Sequence, residues 1–381
     1  MLESSVFLDA SALLSWDFNV FNIEGSNPQS ELAWNCFAVS SLVETLKLPV
    51  RQLQNVLIYV ENNYSMKDYD TCLPYVSSDD HMYGGRILSS LASLKKGHNG
   101  SMSKGNPYHN NLHGADVLQA VMYFSLTYKE IGGDFTALDQ FCLLFAGYIH
   151  DFNHPGLNTT FVVNDWPSSV ISLLHGTESP LEKHHLARTF NLLRNNQEEY
   201  NFLKDFNDDD VMYFRKVVTE CVLATDLAKT MSWLASAKVS FVDMKGEGKE
   251  EPSLSALDKK KRLDAAKLLK MQLAIKCGDV GHPTRPLELH LKWSSLICDE
   301  FFNQGDVEVR KGMKVSPLCD RNAPSGNYPQ GQIGFINFVC KPVISLMSAM
   351  CSKGVDNVDQ PWLSNMESNL KHWEGLLPPN K

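Results

Sequence analysis

Histidine and aspartate residues form three short clusters in this chain of 381 residues. The first cluster contains His109 and His113, which are four residues apart and therefore would share one face of a helix. The second contains His150 and Asp151 side by side, and the third contains Asp279 much later in the chain. Imidazole and carboxylate groups suit Zn²⁺, Mg²⁺ or Mn²⁺ better than copper or an iron–sulfur cluster, so these residues are candidate metal ligands.

Apolar segments precede the second and third clusters. Phe141 to Ile149 ends just before His150, and Leu268 to Cys277 ends just before Asp279. Each segment has the composition of a buried helix, which would carry the polar residues after it into the interior. Buried imidazoles and carboxylates are costly unless a cation or hydrogen bonds compensate them. An isolated His-x-x-x-His pair is more often structural than metal-binding, but three converging clusters predict a metal site.

A buried set of this kind can hold two cations that share a bridging carboxylate. Two cations lower the pKa of the water between them, so that hydroxide forms at neutral pH, and they neutralise charge on phosphate oxygens. The leaving oxygen then needs a proton donor, and His109 is suited to this task one turn from His113. The pattern predicts phosphohydrolase chemistry, and the His-Asp doublet at 150–151 resembles that of the broad HD phosphohydrolase superfamily.

Composition excludes several other classes of protein. The net charge of −9 argues against a nucleic-acid surface, which needs clustered Lys and Arg. The nine cysteines are scattered without a Cys-x-x-Cys pair, which is typical of free thiols in a reducing compartment. The N-terminus has no basic region or cleavage signature, and the longest apolar runs are shorter than the ~20 residues that span a bilayer. We therefore expect an intracellular protein with no transmembrane segment.

Helical periodicity predicts an all-α fold, because the chain shows neither alternating strand patterns nor internal repeats. We expect residues 1–381 to form a single catalytic domain, a compact set of helices around a deep metal-containing pocket. Residues 1–25 show no clear periodicity, so we expect irregular structure that lies on the surface of the core. Residues 65–105 are polar and Gly-rich, which predicts an inserted surface segment. Further loops are predicted at residues 239–258 and 317–331.

Seven motifs follow one another along the chain, and together they carry a closer resemblance. They are Tyr108 to Val117, His150 to Gly156, Glu182 to Ala187, Leu223 to Asp226, Gly278 to Thr284, Ser316 to Asp320 and Gln332 to Phe335. In order and spacing, this series resembles the catalytic domain of the class I cyclic nucleotide phosphodiesterases over about residues 30–375. The resemblance implies hydrolysis of 3′,5′-cyclic nucleotides to 5′-monophosphates by a hydroxide activated between two metals.

The resemblance also implies a metal centre with two ions. His113, His150, Asp151 and Asp279 would bind the tighter metal, taken as Zn²⁺. Asp151 would also bridge to a second metal, Mg²⁺ or Mn²⁺, whose other ligands are mostly water.

Residues around the metals would have supporting roles. His109 would protonate the 3′-oxygen as it leaves. His154, Glu182 and Asp226 match positions that orient metal-bound waters in the family.

The base of the nucleotide would be held farther from the metals. Gln332 would hydrogen-bond the purine edge, because an amide offers both a donor and an acceptor. Phe335 would clamp the base with Val280 opposite, since an aromatic ring is suited to stacking. The remaining pocket residues would be Tyr108, His282, Ile297, Phe301 and Leu318.

Two features depart from the family pattern. Residues 65–105 intervene where the family usually joins an upstream helix directly to the Tyr-His-Asn motif, which suggests a member outside the animal enzymes, such as a protozoan one. His282 stands where members selective for cyclic AMP often carry Asn and some dual-specificity members carry His. This residue favours the use of both cyclic AMP and cyclic GMP.

Other functions remain compatible with the same motifs. The chain could be another HD-type phosphohydrolase, such as a nucleotidase, or a non-catalytic cyclic nucleotide sensor on the same scaffold. A third alternative is an all-α interaction module with one structural zinc. Hydrolysis is favoured because no expected ligand or acid position is substituted. The family commonly carries regulatory modules, and none is visible in this sequence, so we expect such domains to lie outside it.

Overall fold

The computed structural model describes residues 8–66, 69, 105–165, 168–244, 255–322, 327–352 and 359–377. Helices form nearly all of the regular structure in these ranges, and no strand occurs within them. One isolated bridge pairs Ser65 with His154. The predicted all-α fold is therefore confirmed.

The longer helices differ widely in length. They span Pro28–Val39, Val50–Asn62, Asn111–Thr127, Ala137–Ile149, Pro180–Asn195, Asp208–Leu223, Thr230–Met244, Ala256–Asp279, Leu287–Arg310, Asn327–Phe335, Lys341–Cys351 and Pro361–Gly375. Single turns and short helices connect them, at Ala10–Leu13, Leu42–Thr45, Lys129–Gly132, Thr159–Asn164, Val170–His175 and Gln197–Tyr200. Three short 3₁₀ turns and one π-helical turn complete the set, at Val20–Asn22, Leu227–Lys229, His282–Thr284 and Ile336–Cys340.

The Asn111–Thr127 helix lies at the centre of the fold. It packs against both Ala137–Ile149 and Ala256–Asp279. Gly278 allows the Ala256–Asp279 helix to approach the Asn111–Thr127 helix closely, because a Cβ at this position would lie 3.2 Å from the carbonyl oxygen of Val117. The ends of the three helices meet, and each end carries a residue of the predicted metal site.

Some predicted boundaries were wrong, because helices continue into polar sequence. The predicted loop at 239–258 is shorter, since one helix runs to Met244 and the next begins at Ala256. The predicted loop at 317–331 is shorter as well, because a helix begins at Asn327. Most of the polar segment predicted at 65–105 lies outside the described residues.

His109 is not on a helix, which corrects the expectation that it shares a helical face with His113. The helix begins at Asn111, and Asn110 is its N-cap. The Asn110 side chain accepts hydrogen bonds from the backbone N–H groups of Leu112 and His113, as Asn commonly does at this position. Asn110 therefore fixes where the helix starts, and His109 reaches the site from the turn before it.

The N-terminal segment is attached to the central helix by a buried arginine. Arg285 donates to the carboxylate of Asp116 at 2.8 Å and to the carbonyl oxygen of Trp16 at 3.0 Å. Its guanidinium lies 4.2 Å from the ring centroid of Trp16, whose indole N–H donates to the Thr284 carbonyl at 2.6 Å. Arg285 thus joins the first helical turns of the chain, the central helix and the segment after Asp279.

Cysteine and hydropathy patterns can be compared with the structure. Eight of the cysteines lie within the described residues, and all eight are free thiols.

The continuous helix Tyr328–Cys351 is long and apolar enough, by length and composition alone, to cross a membrane. This helix is the one such candidate among the described residues, and composition alone does not distinguish a spanning helix from one that packs on a core.

We predict that Arg285→Ala destabilises the fold strongly. Removal of one partner leaves the Asp116 carboxylate buried without a counter-charge, which typically costs about 3–5 kcal/mol. The free energy of unfolding, measured by urea denaturation, should fall by that amount. Lys292→Ala is the control, because its ion pair with Glu288 is solvent-exposed and should contribute at most about 1 kcal/mol. Equal losses in the two variants would contradict the role given to Arg285.

Candidate active site

The four candidate metal ligands meet where the three helix ends converge. The Nε2 atoms of His113 and His150 lie 3.3 Å apart. Asp279 Oδ1 lies 3.3 Å from the first nitrogen and 3.4 Å from the second. Asp151 Oδ2 lies 3.5 Å and 3.2 Å from the same two nitrogens. All four potential ligand atoms lie within 4.8 Å of one another, and two imidazoles with two carboxylates form a donor set that fits a divalent cation.

A hydrogen bond to the backbone orients the His150 ring for metal binding. Its Nδ1 lies 2.9 Å from the carbonyl oxygen of Gly147, one turn earlier in the same helix. Because a carbonyl only accepts, Nδ1 carries the proton and the lone pair of Nε2 faces the cluster in the neutral ring. Such a bond from the second ring nitrogen is the usual support of a metal-binding histidine.

Both carboxylates are held in the ionised form. Burial raises the pKa of Asp279, but hydrogen bonds from His113 and His150 outweigh this effect and bring the pKa to about 2. Burial also raises the pKa of Asp151, but when His150 is protonated its positive charge outweighs burial and lowers the pKa of Asp151 well below the ordinary value. Ionised carboxylates are the form in which aspartate binds a cation.

The other oxygen of Asp151 faces a second group of buried polar atoms. Asp151 Oδ1 lies 3.6 Å from Nε2 of His185, whose Nδ1 donates to the Phe152 carbonyl at 2.8 Å. His185 Nε2 and Glu182 Oε2 are both buried without a hydrogen-bond partner. Buried polar atoms without partners are rare, so these two atoms fit a hydrated cation on this side of Asp151. Burial raises the pKa of Glu182 to about 8.

His154 and Asp226, which the resemblance assigned to the orientation of metal-bound waters, line the same cavity as Asp151. His154 Nδ1 accepts from the backbone N–H of Gly156 at 3.0 Å, and its ring stacks on that of His109 with centroids 4.1 Å apart. The Asp226 carboxylate accepts from the Ser179 hydroxyl at 2.7 Å and from the backbone N–H of Ala228 at 2.9 Å. These contacts hold both side chains at the cavity wall.

His109 is fixed by a glutamate that sequence reasoning missed. Its Nδ1 makes a hydrogen bond with the Glu300 carboxylate, and Glu300 Oε2 accepts from the backbone N–H groups of Tyr108 and His109 at 3.0 Å each. The other ring nitrogen, Nε2, lies 3.9 Å from Asp151 Oδ2. Burial disfavours the charged ring, but the Glu300 carboxylate outweighs this effect and raises the pKa of His109 to about 9. His109 is therefore protonated at neutral pH and directs one N–H group toward Asp151.

A deep cavity of about 1230 Å³ lies over this cluster. Asp151 and Asp279 reach its floor, whereas His113 and His150 are buried beneath it. Every other residue predicted for the site lines the cavity. These residues are Tyr108, His109, His154, Glu182, Asp226, Val280, His282, Ile297, Phe301, Leu318, Gln332 and Phe335.

Aromatic and amide groups form the part of the cavity predicted to hold a base. The ring of Phe335 stacks against His282, with centroids 5.5 Å apart and planes inclined by 14°. The side-chain oxygen of Gln332 accepts a hydrogen bond from the Ser294 hydroxyl at 3.2 Å. Ser294 thereby holds the Gln332 amide in place, so that its NH₂ group remains a donor. Leu318 has a left-handed backbone, with φ of 67°, which is unusual for a residue other than glycine.

Three functional residues had no clear signal in the sequence. Glu300 follows another acid, Asp299, in a long helix, and nothing in the sequence indicates that its carboxylate is buried. His185 belongs to a recognised motif, but nothing local distinguishes it from His184 beside it. Asn106 donates to the carbonyl oxygens of His109 and His154, at 2.7 Å and 2.8 Å, and so joins two motifs. Such contacts form between distant parts of the chain and leave no periodic pattern.

The fold and the site together define an all-helical protein with a buried His/Asp centre beneath a deep cavity. Comparison with known proteins agrees with this class. Residues 108–360 match the family described as 3′5′-cyclic nucleotide phosphodiesterase. The chain belongs to the 3′5′-cyclic nucleotide phosphodiesterase family, as its motifs predicted.

Individual relatives and solved structures extend the match. A 3′,5′-cyclic-AMP phosphodiesterase, isoform F, of Drosophila melanogaster is 34% identical over 96% of this chain and 47% of its own length. A probable 3′,5′-cyclic-AMP phosphodiesterase, pde-4, of Caenorhabditis elegans is 32% identical over 72% of this chain and 38% of its own length. The chain thus spans less than half of each of these curated relatives.

Two solved structures share the fold. The structure of LmjPDEB1 in complex with IBMX is 25% identical, with a TM-score of 0.70 over 97% of this chain and 95% of that one. The phosphodiesterase domain of the RhoPDE fusion protein from the choanoflagellate Salpingoeca rosetta is 21% identical, with a TM-score of 0.72 over 96% of both chains. The all-helical architecture is therefore that of known phosphodiesterase domains. The family implies dependence on divalent metals, and the His/Asp cluster fits this requirement.

We predict that Asp279→Ala removes a tightly bound metal equivalent. The substitution deletes one of the four clustered ligand atoms, and elemental analysis of the purified protein should detect the loss. Asp320→Ala is the matched control, because Asp320 is an exposed acid on the same cavity wall and should leave the metal content unchanged. Full metal retention in Asp279→Ala would exclude this residue as a ligand.

Proposed function

We propose that the chain hydrolyses 3′,5′-cyclic nucleotides, cyclic AMP first among them, to 5′-monophosphates. The observation that carries this proposal is the convergence of four candidate metal ligands at and beneath the floor of a deep cavity that His109 lines. The relatives from Drosophila and Caenorhabditis are named as 3′,5′-cyclic-AMP phosphodiesterases, which supports the choice of substrate. Cyclic GMP is the second substrate to test, because His282, the residue that favoured dual use, lies in the cavity wall.

The residues support a centre with Zn²⁺ at the tighter position and Mg²⁺ or Mn²⁺ at the second. His113, His150 and Asp279 would hold the first cation together with Oδ2 of Asp151. Oδ1 of Asp151 faces His185 instead, which supports the proposal that this carboxylate would serve both cations. When bound, divalent cations supply an activated water as nucleophile and neutralise charge on the phosphate oxygens.

The proton for the leaving group would come from His109. When the bond between phosphorus and the 3′-oxygen breaks, the departing oxygen needs a proton, and His109 Nε2–H points toward the metal cluster. Glu300 binds Nδ1 and so directs the other nitrogen into the cavity. The proton passes from Nε2 to the 3′-oxygen, which becomes the 3′-hydroxyl of the product. Glu300 also stabilises the charged ring before the transfer.

The far end of the cavity would bind the base. We assign the purine edge to Gln332 and the faces of the base to Phe335 and Val280, all of which line the cavity. Ser294 holds the amide of Gln332, which reduces the entropy lost when a ligand binds. Tyr108, Ile297, Phe301 and Leu318 would complete the apolar walls.

We further propose that this catalytic unit lies within residues 1–381 and works inside the cell. Support for the location comes from the free cysteines, since all eight in the described residues are unpaired and free thiols are typical of reducing compartments.

The decisive experiment is a substrate panel. With Mg²⁺ or Mn²⁺ present, we expect the protein to convert cyclic AMP to 5′-AMP and to release no phosphate from 5′-AMP, as resolved by chromatography. Phosphate release from monophosphates with intact cyclic nucleotides would instead identify a nucleotidase. Tight binding of cyclic AMP without turnover would identify a sensor.

Variants of the proton donor test the assigned chemistry. His109→Ala should lower kcat for cyclic AMP by about 10²- to 10⁴-fold, the usual contribution of a general acid, while the metal content stays unchanged. Glu300→Gln should cause a smaller loss, because the ring remains but loses the carboxylate that supports its charge. Glu288→Gln is the control, since Glu288 is an exposed residue of the same helix. Unchanged kcat in His109→Ala would remove this residue as the acid.

A further inference from the structure

Glu308 is a buried acid in the Leu287–Arg310 helix for which the proposed chemistry has no role. Only 1% of its surface is exposed, and none of the ion pairs among the described residues includes it. Glutamate is almost never fully buried unless it has a partner. The groups that surround this carboxylate therefore need a physical explanation.

Three hydrogen-bond donors meet at the Glu308 carboxylate. Its Oε2 accepts from the backbone N–H of Ser316 at 2.7 Å, and its Oε1 accepts from the Ser316 hydroxyl at 2.6 Å. Oε1 also accepts from the Gln304 amide at 2.9 Å. Such bonds compensate for the water that a buried carboxylate loses. Because Ser316 supplies two of the three donors, Glu308 fixes the start of residues 316–320, the wall loop.

A close backbone contact fixes the other end of the wall loop. A Cβ at Gly305 would lie 1.9 Å from the carbonyl oxygen of Cys319, so glycine is required where the loop lies directly on the helix. Gly305 precedes Glu308 by three residues, and both residues therefore share one face of the helix. The wall loop is thus held on this face at two points.

The same helix holds a second segment of the cavity wall. Gln304 is also only 1% exposed, and its side-chain oxygen accepts from the backbone N–H of Asn158 at 2.8 Å. Asn158 lines the cavity, as do Ser316 and Leu318. One buried pair of side chains, Gln304 and Glu308, therefore connects two wall segments that are far apart in the sequence.

Leu318 is the residue of the wall loop that depends most on this support. Its φ of 67° is unfavourable for a residue with a Cβ, and such a conformation persists only where the surrounding structure holds it. Its side chain lies over Gly331, because a Cβ at Gly331 would be 3.2 Å from Leu318 Cδ2. Gly331 precedes Gln332, to which we assigned the purine edge. Leu318 is 51% exposed, so a base bound beside Gln332 would cover apolar surface that is now in water.

We propose that Glu308 is a positioning residue for nucleotide binding, because it fixes the wall loop so that Leu318 packs against the base. The inference rests on the proposed function, which places the base at this end of the cavity. Glu308 acts on affinity and not on the chemical step, since its hydrogen bonds go to Ser316 and Gln304 and none reaches the candidate metal ligands or His109.

Kinetics of Glu308→Gln in the metal-loaded full chain test this role. An amide has one oxygen where the carboxylate has two, so its NH₂ group would face a donor of Ser316 or Gln304 and the support of the wall loop would weaken. We expect KM for cyclic AMP to rise about tenfold, as for one lost contact in an apolar pocket, while kcat stays within about twofold. Glu288→Gln is the control, because Glu288 is exposed in the same helix and should change neither constant. An unchanged KM in the folded Glu308→Gln variant would overturn the inference.

Binding of two phosphate ligands separates the base from the rest of the nucleotide. 5′-AMP and ribose 5-phosphate share the sugar and the phosphate, but only 5′-AMP has a base. In isothermal titration calorimetry, Glu308→Gln should weaken the binding of 5′-AMP about tenfold and leave that of ribose 5-phosphate unchanged. Equal losses for the two ligands would indicate a general disturbance of the cavity and would contradict the inference.

A double-mutant cycle tests whether Glu308 acts through Leu318. Leu318→Ala alone should weaken the binding of 5′-AMP, because it removes the side chain that would cover the base. Adding Glu308→Gln to Leu318→Ala should then weaken this binding by less than about twofold more, and a second full loss would contradict the assigned route. Ser316→Ala removes one donor and keeps the backbone N–H. It should cause a smaller loss than Glu308→Gln, and it provides the same test if Glu308→Gln does not fold.

The binding results distinguish this inference from the proposed function. If Glu308→Gln weakens the binding of 5′-AMP alone but the protein hydrolyses no cyclic nucleotide, the proposed function fails while the role of Glu308 stands. If hydrolysis is observed but Glu308→Gln changes neither KM nor the binding of 5′-AMP, only the role of Glu308 fails. No binding of 5′-AMP by the unchanged chain would contradict both.

Discussion

Two buried carboxylates beside two buried imidazoles impose a constraint that the surrounding structure must satisfy. Removing such groups from water is costly unless charge and hydrogen bonding compensate them. Here the compensation requires that three helix ends meet within a few ångströms, because His113, His150 and Asp279 come from different helices. The close approach at Gly278, the cap at Asn110 and the bond from His150 to Gly147 all serve this convergence.

The same constraint explains why much of the site could be predicted from the sequence. A polar residue that an apolar helix carries into the interior is costly unless a cation or hydrogen bonds compensate it, and His150 and Asp279 both follow apolar segments. The all-helical fold could likewise be predicted, because apolar periodicity is a local property of the chain. The motifs added the assignment of cavity residues such as Gln332 and Phe335, which local pattern alone would place in an ordinary core or on the surface.

The features of the site that could not be predicted from the sequence depend on contacts between distant segments of the chain. Glu300 supports His109 from a helix that begins at Leu287, and no spacing rule connects the two residues. His109 was assigned to a helix because His-x-x-x-His has helical spacing, but the Asn110 cap starts the helix two residues after His109. A capping side chain competes locally with the helical pattern and determines the boundary.

The link between Trp16 and Thr284 has a consequence for the order in which the protein is made. The two residues are 268 positions apart, and the ribosome produces the chain from the N-terminus. The N-terminal segment around Trp16 therefore lacks its final partners Thr284 and Arg285 until three-quarters of the chain has been synthesised. Asp279 emerges in the same interval, so the metal centre and the attachment of the N-terminal segment are completed together. Until then, the apolar side chains of this segment lack the Thr284 and Arg285 contacts that attach it, and transiently exposed apolar surface of this kind favours aggregation during folding.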